Sequence, residues 1–89
     1  MAKYLVEMSH TPRECAWALT TALHEGPDFL ARFEWGCEDG EHVGWAIVEA
    51  ENKFVAQELV PRILRPKTRI VGLNRFTPEQ VRALNAAQT

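Results

Sequence analysis

Two runs in the middle of the chain alternate hydrophobic residues with polar or small ones, and they flank the dipeptide Asp39-Gly40. Asp-Gly between alternating runs is a strong signal for a β-hairpin with a type I′ turn. With that turn, or with a four-residue loop around it, Cys37 lies opposite His42 on the neighbouring strand. Both faces of this hairpin carry large apolar side chains, so neither face is expected to meet only water.

The rest of the chain reads as strands and helices in turn. Thr11-Pro12-Arg13-Glu14 is a capping box with proline at the first helical position, and Thr77-Pro78-Glu79-Gln80 repeats the pattern near the C-terminus. These signals predict helices over residues 11–24 and 77–86, with a short helix capped by Asn52 and one further turn over 61–66. Strands are predicted over residues 3–8, 29–37, 42–50 and 68–76.

One face of the first helix is expected to be buried, because its apolar residues recur every three or four positions. Trp17 lies nearly opposite that face, either as a contact with another chain or as a single exposed apolar residue. The predicted buried residues are Cys15, Ala16, Leu19, Ala22 and Leu23.

The predicted order β-α-β-β-α-β-α describes a single α+β domain spanning residues 1–89. Four strands and two crossover helices in that order form the split βαβ, or ferredoxin-like, arrangement, with an extra C-terminal helix here. Right-handed crossovers give an antiparallel sheet of strand order 4-1-3-2 with both crossover helices on one face. The other face is left bare, and because both hairpin faces are apolar we expect a second copy to cover it in a homodimer.

Composition narrows the function classes. The net charge of −2 and the pI of about 5.9 argue against a broad nucleic-acid interface. No run of about 18 apolar residues predicts a membrane span, and the first residues lack the apolar region of a signal peptide. The two cysteines form neither a C-x-x-C pair nor a disulfide framework, so a reducing cytoplasm is expected.

Three segments resemble a known superfamily: the opening Lys3-Tyr4-Leu5-Val6-Glu7, the tryptophan-containing hairpin, and the closing run Val71-Gly72-Leu73-Asn74-Arg75-Phe76-Thr77-Pro78-Glu79. In pattern they resemble the small dimeric α+β-barrel proteins. That superfamily includes muconolactone isomerase, antibiotic-biosynthesis monooxygenases and uncharacterised members, one branch of which binds nickel. The resemblance implies dimerisation through the sheets and often a cavity between sheet and helices. It transfers no activity, because this architecture hosts unrelated chemistries.

The predicted topology gathers residues 9–11, the hairpin tip and the loop over residues 65–69 at one edge of the sheet. His10, Cys37 and His42 then approach one another, and imidazole and thiolate suit zinc, nickel and copper. The sequence therefore predicts a candidate metal site at this edge. Two alternatives stay open: the three residues are ordinary half-solvated side chains, or they form a catalytic Cys/His pair.

Charge is divided unevenly along the chain, with an acidic hairpin and a basic stretch after Pro61. A basic loop beside the start of the first helix favours an anion site, since orphan N–H groups and the helix dipole also attract negative charge. Alternatively, these charges solvate the surface or pair with the acidic hairpin. The predicted ligand-binding or anion-binding residues are Arg65, Lys67, Arg69, Tyr4 and Trp45.

Glu34 is predicted to lie opposite Trp45, where an apolar cleft would raise its pKa and let it act as a general base. His10 is the other candidate base. The alternative for Glu34 is an edge strand facing water.

Three functions are carried forward. The first is a homodimeric binding domain for a small apolar or anionic molecule, with any cofactor unknown and with no nucleic acid or membrane as partner. The second is a cofactor-independent isomerase or monooxygenase of the dimeric α+β-barrel type. The third is a protein that binds a transition metal, nickel or zinc.

Overall fold

The fold is described from a computed structural model covering residues 1–88, and it is an α+β structure with one four-stranded sheet. The strands are β1 (Ala2–Ser9), β2 (Glu34–Trp35), β3 (Val43–Ala50) and β4 (Thr68–Leu73), and the helices are α1 (Cys15–Glu25), α2 (Pro27–Arg32), α3 (Lys53–Glu58) and α4 (Pro78–Gln88). Short 3₁₀ turns lie at Pro12–Glu14, Cys37–Asp39 and Arg62–Lys67.

The sheet is antiparallel throughout and has the order β2-β3-β1-β4, which confirms the strand order predicted from the sequence. β1 is central: its Lys3 pairs with Glu49 of β3 on one side and with Leu73 of β4 on the other. Successive side chains of a strand point to opposite faces, so Val6 and Met8 enter the core while their neighbours face away from it.

The core lies on one face of the sheet. Alternate strand residues meet side chains from α3 and from the segment that follows it, including Ala56, Val60 and Leu64, each at most 1% exposed. The turn predicted over residues 61–66 is a 3₁₀ helix, and it is Leu64 rather than Ile63 that points inward. The core residues are Val6, Met8, Phe33, Ala46, Val48, Ala50, Ala56, Val60, Leu64 and Ile70.

The predicted strand over residues 29–37 is wrong for most of its length, because residues up to Arg32 are helical and β2 has only two residues. Pro27 occupies the first helical position, where its fixed φ favours a helix and its missing N–H costs nothing. The N–H of Leu30 donates to the carbonyl of Gly26 (3.1 Å) and closes the first turn.

The hairpin keeps its predicted register but not its predicted turn. Trp35 pairs with Gly44 as expected, and the last ladder bond runs from the Gly36 N–H to the Val43 carbonyl (2.9 Å). Beyond it the chain makes the 3₁₀ turn at Cys37–Asp39 instead of a two-residue turn. Gly40 then adopts φ 84°, a left-handed conformation that glycine tolerates without strain.

The buried face of α1 is shifted from the predicted one. Ala22 is buried as predicted, Ala18 is buried although it was not predicted, and Ala16 and Leu23 are exposed. The other two predicted residues, Cys15 and Leu19, are partly buried. Positions 15, 18, 19 and 22 lie along one side of the helix, whereas positions 16 and 23 are each about 100° from their neighbour in that row. Trp17 is 38% exposed, which agrees with its predicted outward position.

The C-terminal part of the described chain stands apart from the core. β4 ends at Leu73, three residues earlier than predicted, and α4 begins after Thr77 as the capping box indicates. Every residue from 72 to 87 is exposed. Among residues 1–88, no helix combines the length and the apolar character needed to cross a bilayer.

Candidate metal centre

His10 stands directly after β1 and is the buried polar residue of the described chain, at 8% exposure. Its backbone N–H donates to the carbonyl of His42 (3.0 Å), which extends the β1–β3 pairing by one residue. That bond places the two imidazole rings side by side, with centroids 5.3 Å apart and planes at 71°. The pairing of β1 with β3 thus brings together two histidines that are 32 positions apart in the sequence.

Cys37 reaches the same place through the 3₁₀ turn at the hairpin tip. Its Sγ lies 3.4 Å from Nε2 of His10. The sequence predicted that Cys37 and His42 would meet as directly paired strand residues, and they meet across a turn instead. Both residues are partly buried.

Cys15 completes the cluster from the first position of α1. The capping box controls how the chain leaves β1: the Thr11 N–H donates to Oε1 of Glu14 (2.9 Å), and the Glu14 N–H donates to Oγ1 of Thr11 (3.3 Å). These two bonds fix the 3₁₀ turn at Pro12–Glu14, after which α1 begins at Cys15. The turn therefore brings the chain back so that Cys15 faces His10.

The four residues His10, Cys15, Cys37 and His42, called the ligand cluster below, each offer one ligand atom, and these atoms all lie within 4.8 Å of one another. Zn–S bonds of about 2.3 Å and Zn–N bonds of about 2.0 Å in a tetrahedron require ligand atoms roughly 3.3–3.8 Å apart. The His10–Cys37 separation of 3.4 Å already satisfies this. The longest separation needs to shorten by about 1 Å, which is within the reach of side-chain rotation.

The sequence identified three members of the ligand cluster and missed Cys15, which it placed on the apolar face of the first helix. A signal was available in the spacing. His10 precedes Cys15 by the same interval by which Cys37 precedes His42. Two His/Cys pairs of equal spacing and mirrored order point to a four-ligand site more strongly than three separate residues do.

Burial and neighbouring side chains shift the pKa values of two members of the ligand cluster, His10 and Cys37. Burial, reinforced by the neighbouring His42, lowers the pKa of His10 from its ordinary value of 6.5, with Glu14 opposing the shift. Burial, together with the nearby Cys15 thiol, raises the pKa of Cys37 from its ordinary value of 9.0. At neutral pH His10 is therefore uncharged, as a metal ligand must be, and Cys37 holds a proton that a metal ion would displace.

One ring nitrogen of each histidine has no hydrogen-bond partner among residues 1–88: Nδ1 of His10 and Nδ1 of His42 are both buried and unpaired there. Buried polar atoms are normally paired, since an unpaired one costs about 1–3 kcal/mol. A cation bound at Nδ1 of His42 would offset that cost, whereas His10 faces Cys37 through Nε2 and would bind a cation through that nitrogen. Two imidazoles and two cysteine sulfur atoms together match the donor set that a structural zinc site uses.

Trp35 forms the apolar wall behind the ligand cluster, with its ring centroid 6.1 Å from that of His10. It lies across Gly44, where a Cβ would come within 2.7 Å of the indole carbons, so only glycine permits this position. The Phe33 ring lies 5.5 Å from the Trp35 ring, at 35° to it, and links the wall to the core.

The predicted anion-binding cations are engaged within the chain, and Lys67 is the one that lines the same depression as His10. Lys67 pairs with the Glu14 carboxylate, and Arg69 pairs with Glu7 at 3.0 Å. Nε of Arg65 donates to the carbonyl of Val60 (2.8 Å). Such internal pairing lowers the attraction that these cations offer to a bound anion.

The two aromatic residues predicted to join those cations lie on opposite faces of the sheet. Tyr4 packs against the core, whereas Trp45 is on the other face, where its Nε1 donates to Oε1 of Glu7 (3.2 Å). The structure therefore does not bring the five predicted anion-site residues together.

The two candidate bases also occupy different places. Glu34 pairs with Trp45 as predicted, but its side chain is exposed, beside an open depression of about 270 Å³ that includes Arg32. His10 is buried in the ligand cluster and adjoins a depression of about 300 Å³ between Thr11 and Lys67.

Comparisons with known proteins add no relative. No protein-family model matches the chain, and no curated protein or solved structure matches it either.

Proposed function

We propose that this protein binds one zinc ion through the ligand cluster and that the ion holds together the end of the sheet. The observation that carries the proposal is the convergence of four ligand atoms within 4.8 Å from four separate places in the sequence. Both cysteines of the chain and two of its three histidines take part. Chance surface proximity rarely collects almost every soft ligand of a chain at one point.

Zinc is the ion that this donor set favours. Two thiolates and two imidazoles in a tetrahedral arrangement form a common structural zinc site, and Zn²⁺ has no geometric preference that would oppose it. Nickel, suggested by the resemblance to the dimeric α+β-barrel proteins, is the rival ion, and it prefers square-planar or octahedral surroundings with nitrogen and oxygen ligands.

Four protein ligands fill a tetrahedral shell and leave no position for a reactive water. Catalytic zinc sites keep such a position open, whereas structural sites are closed. The expected role is therefore to join the end of β1, the start of α1 and the hairpin tip. A metal ion at this point would stabilise the hairpin, because β2 contributes only two paired residues to the sheet and cannot by itself anchor the hairpin.

The direct experiment is to purify the protein, measure its metal content by elemental analysis, and titrate the chelator-treated protein with zinc. We expect one zinc per chain. A ligand present at 1,000 times its dissociation constant stabilises the folded state by about 4 kcal/mol, so the melting temperature should rise with zinc concentration. Replacement of zinc by Co²⁺ should give the visible absorption bands of a tetrahedral thiolate site.

The matched control is the third histidine, His24, which is exposed and lies outside the ligand cluster. Cys15→Ala and His42→Ala should abolish the zinc-dependent rise in melting temperature, whereas His24→Ala should leave it intact. An equal melting temperature with and without zinc, and no bound metal in the wild-type protein, would overturn the proposal.

The other hypotheses stay predictions. The sheet order supports membership of the ferredoxin-like dimeric α+β-barrel superfamily, and the bare sheet face supports a homodimer. Binding of a small apolar or anionic ligand, isomerase or monooxygenase activity and a cytoplasmic location remain expectations from the sequence. The zinc site is the function that the geometry supports best.

A further inference from the structure

No helix among residues 1–88 covers the second face of the sheet, and this face is apolar at its centre. Ile47 is 63% exposed and Leu73 is 38% exposed there. Charged strand residues surround the apolar centre, among them Glu34 and Glu49. We call this the helix-free face, and its apolar residues are Leu5, Trp45, Ile47, Val71 and Leu73.

The segment from residue 74 to residue 88, here called the arm, is the second uncovered apolar surface. Its Phe76, Val81 and Leu84 are 62%, 45% and 51% exposed. Phe76 and Leu84 line a groove of about 340 Å³ with Gln80 and Ala83. An isolated helix shorter than about 12–15 residues is marginal in water, so the 11-residue α4 needs a packing partner to persist.

The chain holds these two surfaces apart. Its radius of gyration is 16.2 Å, whereas a compact domain of this length has a value of about 12 Å. Its longest dimension is 50 Å and its shortest is 20 Å. The arm therefore projects from β4 instead of folding over the helix-free face of its own sheet, and both surfaces stay uncovered.

We propose that a second copy of this chain covers both surfaces: the arm of each protomer packs on the helix-free face of the other. A two-fold axis makes the exchange reciprocal: each arm packs on the helix-free face of the partner, and each helix-free face is covered by the partner's arm. The homodimer expected from the sequence involved contact through the sheets alone. The exchange of the two arms was not expected from the sequence.

The area available matches what a stable dimer needs. A three-strand face about 27 Å long and 15 Å wide offers roughly 400 Å². The apolar side of an 11-residue helix, about 17 Å long and 10 Å in diameter, covers roughly 250 Å². Each protomer contributes one face and one arm, or roughly 650 Å², so the dimer buries about 1,300 Å² in total, which lies in the lower part of the range of about 1,200–2,000 Å² for specific interfaces.

The charges are also complementary. The strand residues of the helix-free face include one more acid than base, with Glu34 and Glu49 outside any ion pair among residues 1–88. The arm has one more base than acid: Arg82 pairs with Glu79 within the arm at 3.8 Å, and Arg75 supplies the excess positive charge. Opposite net charges at the edge of the interface favour the pairing of an arm with a face over the pairing of two faces.

The test is the oligomeric state of the full chain by analytical ultracentrifugation at micromolar concentration. We expect a mass of twice the 10.1 kDa of the chain. Leu84→Glu in the arm and Ile47→Glu in the helix-free face should each raise the dissociation constant by roughly 100-fold, because each dimer would bury two unpaired carboxylates. The control is Phe54→Glu on α3, 67% exposed on the opposite side of the sheet, which should leave the dimer intact.

Mixing the two variants distinguishes an exchanged arm from a direct contact of sheets. The Ile47→Glu chain keeps a wild-type arm and the Leu84→Glu chain keeps a wild-type face, so one intact arm–face contact can form in the mixture. We expect a heterodimer that is weaker than the wild-type dimer and stronger than either variant alone. Leu73→Glu provides a second face variant, and circular dichroism verifies that each variant is folded.

Three results would overturn the proposal. One is a monomeric wild-type chain, whether or not its arm folds over its own sheet. Another is a dimer that Ile47→Glu dissociates and Leu84→Glu does not, which would mean that the sheets meet directly. The third is a dimer that neither substitution weakens.

Discussion

Two helix starts in this chain have the same capping-box pattern, but the first is packed against other segments and the second is exposed to solvent. At the first, the Thr11 and Glu14 side chains each accept a bond from the other residue's backbone N–H, at 3.3 and 2.9 Å. At the second, Thr77 and Gln80 form the same pair of bonds, at 3.2 and 2.7 Å. The first start leads into the ligand cluster, and the second leads into the exposed arm.

The difference lies in what surrounds each start. Glu14 also binds Lys67 from a distant segment, and the next residue, Cys15, belongs to the ligand cluster. Around Gln80, every neighbour along the chain is exposed. A capping box therefore determines where a helix begins, whereas the rest of the sequence decides whether anything covers that helix. Three predictions test this contrast, from the largest effect to the smallest.

The largest contrast is between Leu64 and Leu84. Leu64 is fully buried in the core, so Leu64→Ala should lower the free energy of unfolding by about 2–5 kcal/mol. Leu84→Ala in the arm should change it by no more than about 0.5 kcal/mol in dilute solution, where copies are separate. Urea denaturation of both variants at low protein concentration measures the difference, and equal losses would mean that the arm packs on its own chain.

A smaller contrast separates the two capping threonines. Thr11→Ala removes a cap from a helix start that is tied to the sheet, so it should lower the free energy of unfolding by about 1 kcal/mol. Thr77→Ala should instead fray the arm, with a loss of helical circular dichroism and no shift of the main unfolding transition. A loss of global stability as large as that of Thr11→Ala would contradict the separation of the arm from the core.

The smallest contrast concerns acid. The hydrogen bond from Lys67, and next that from Thr11, lower the pKa of Glu14 from its ordinary value of 4.5 to about 2, whereas Gln80 at the equivalent position does not titrate. Because the folded-state pKa is depressed, the stabilisation is complete above pH 4.5 and is lost as the pH falls from 4.5 towards 2.

Glu14→Gln should therefore flatten the pH dependence of the unfolding free energy in that range. The measurement is urea denaturation between pH 5 and about 2 with a chelator present, so that loss of metal does not contribute. The lowered pKa of His10 acts in a range that begins higher, below 6.5, and Glu14→Gln should lower it further because the Glu14 carboxylate opposes that shift. Parallel pH profiles for the two proteins would show that the Glu14–Lys67 pair does not contribute.

The sequence predicted the sheet order and most elements because their signals are local and periodic. It failed at Phe29, where a short apolar run is compatible with either a strand or a helix and the preceding Gly26-Pro27 decides for the helix. It also failed at the hairpin turn, where the 3₁₀ turn at Cys37–Asp39 replaces the two-residue turn that Asp39-Gly40 indicates.

The candidate metal site was predicted in three of its four members, since strand topology alone brings His10, Cys37 and His42 to one edge. Cys15 was missed because its position at the start of an apolar helix face suggested burial in the core. Its approach to His10 depends on the 3₁₀ turn between β1 and α1, a feature of tertiary geometry that hydrophobic periodicity does not encode.

The central position of β1 has a consequence for how the chain folds. Its residues pair with β3 and, on the other side, with β4, so that Lys3 meets Leu73 across most of the sequence. Contacts between such distant residues form slowly because a long loop must close before they contribute. During synthesis, the edge of β1 that pairs with β4 therefore stays uncovered until residues 68–73 have left the ribosome.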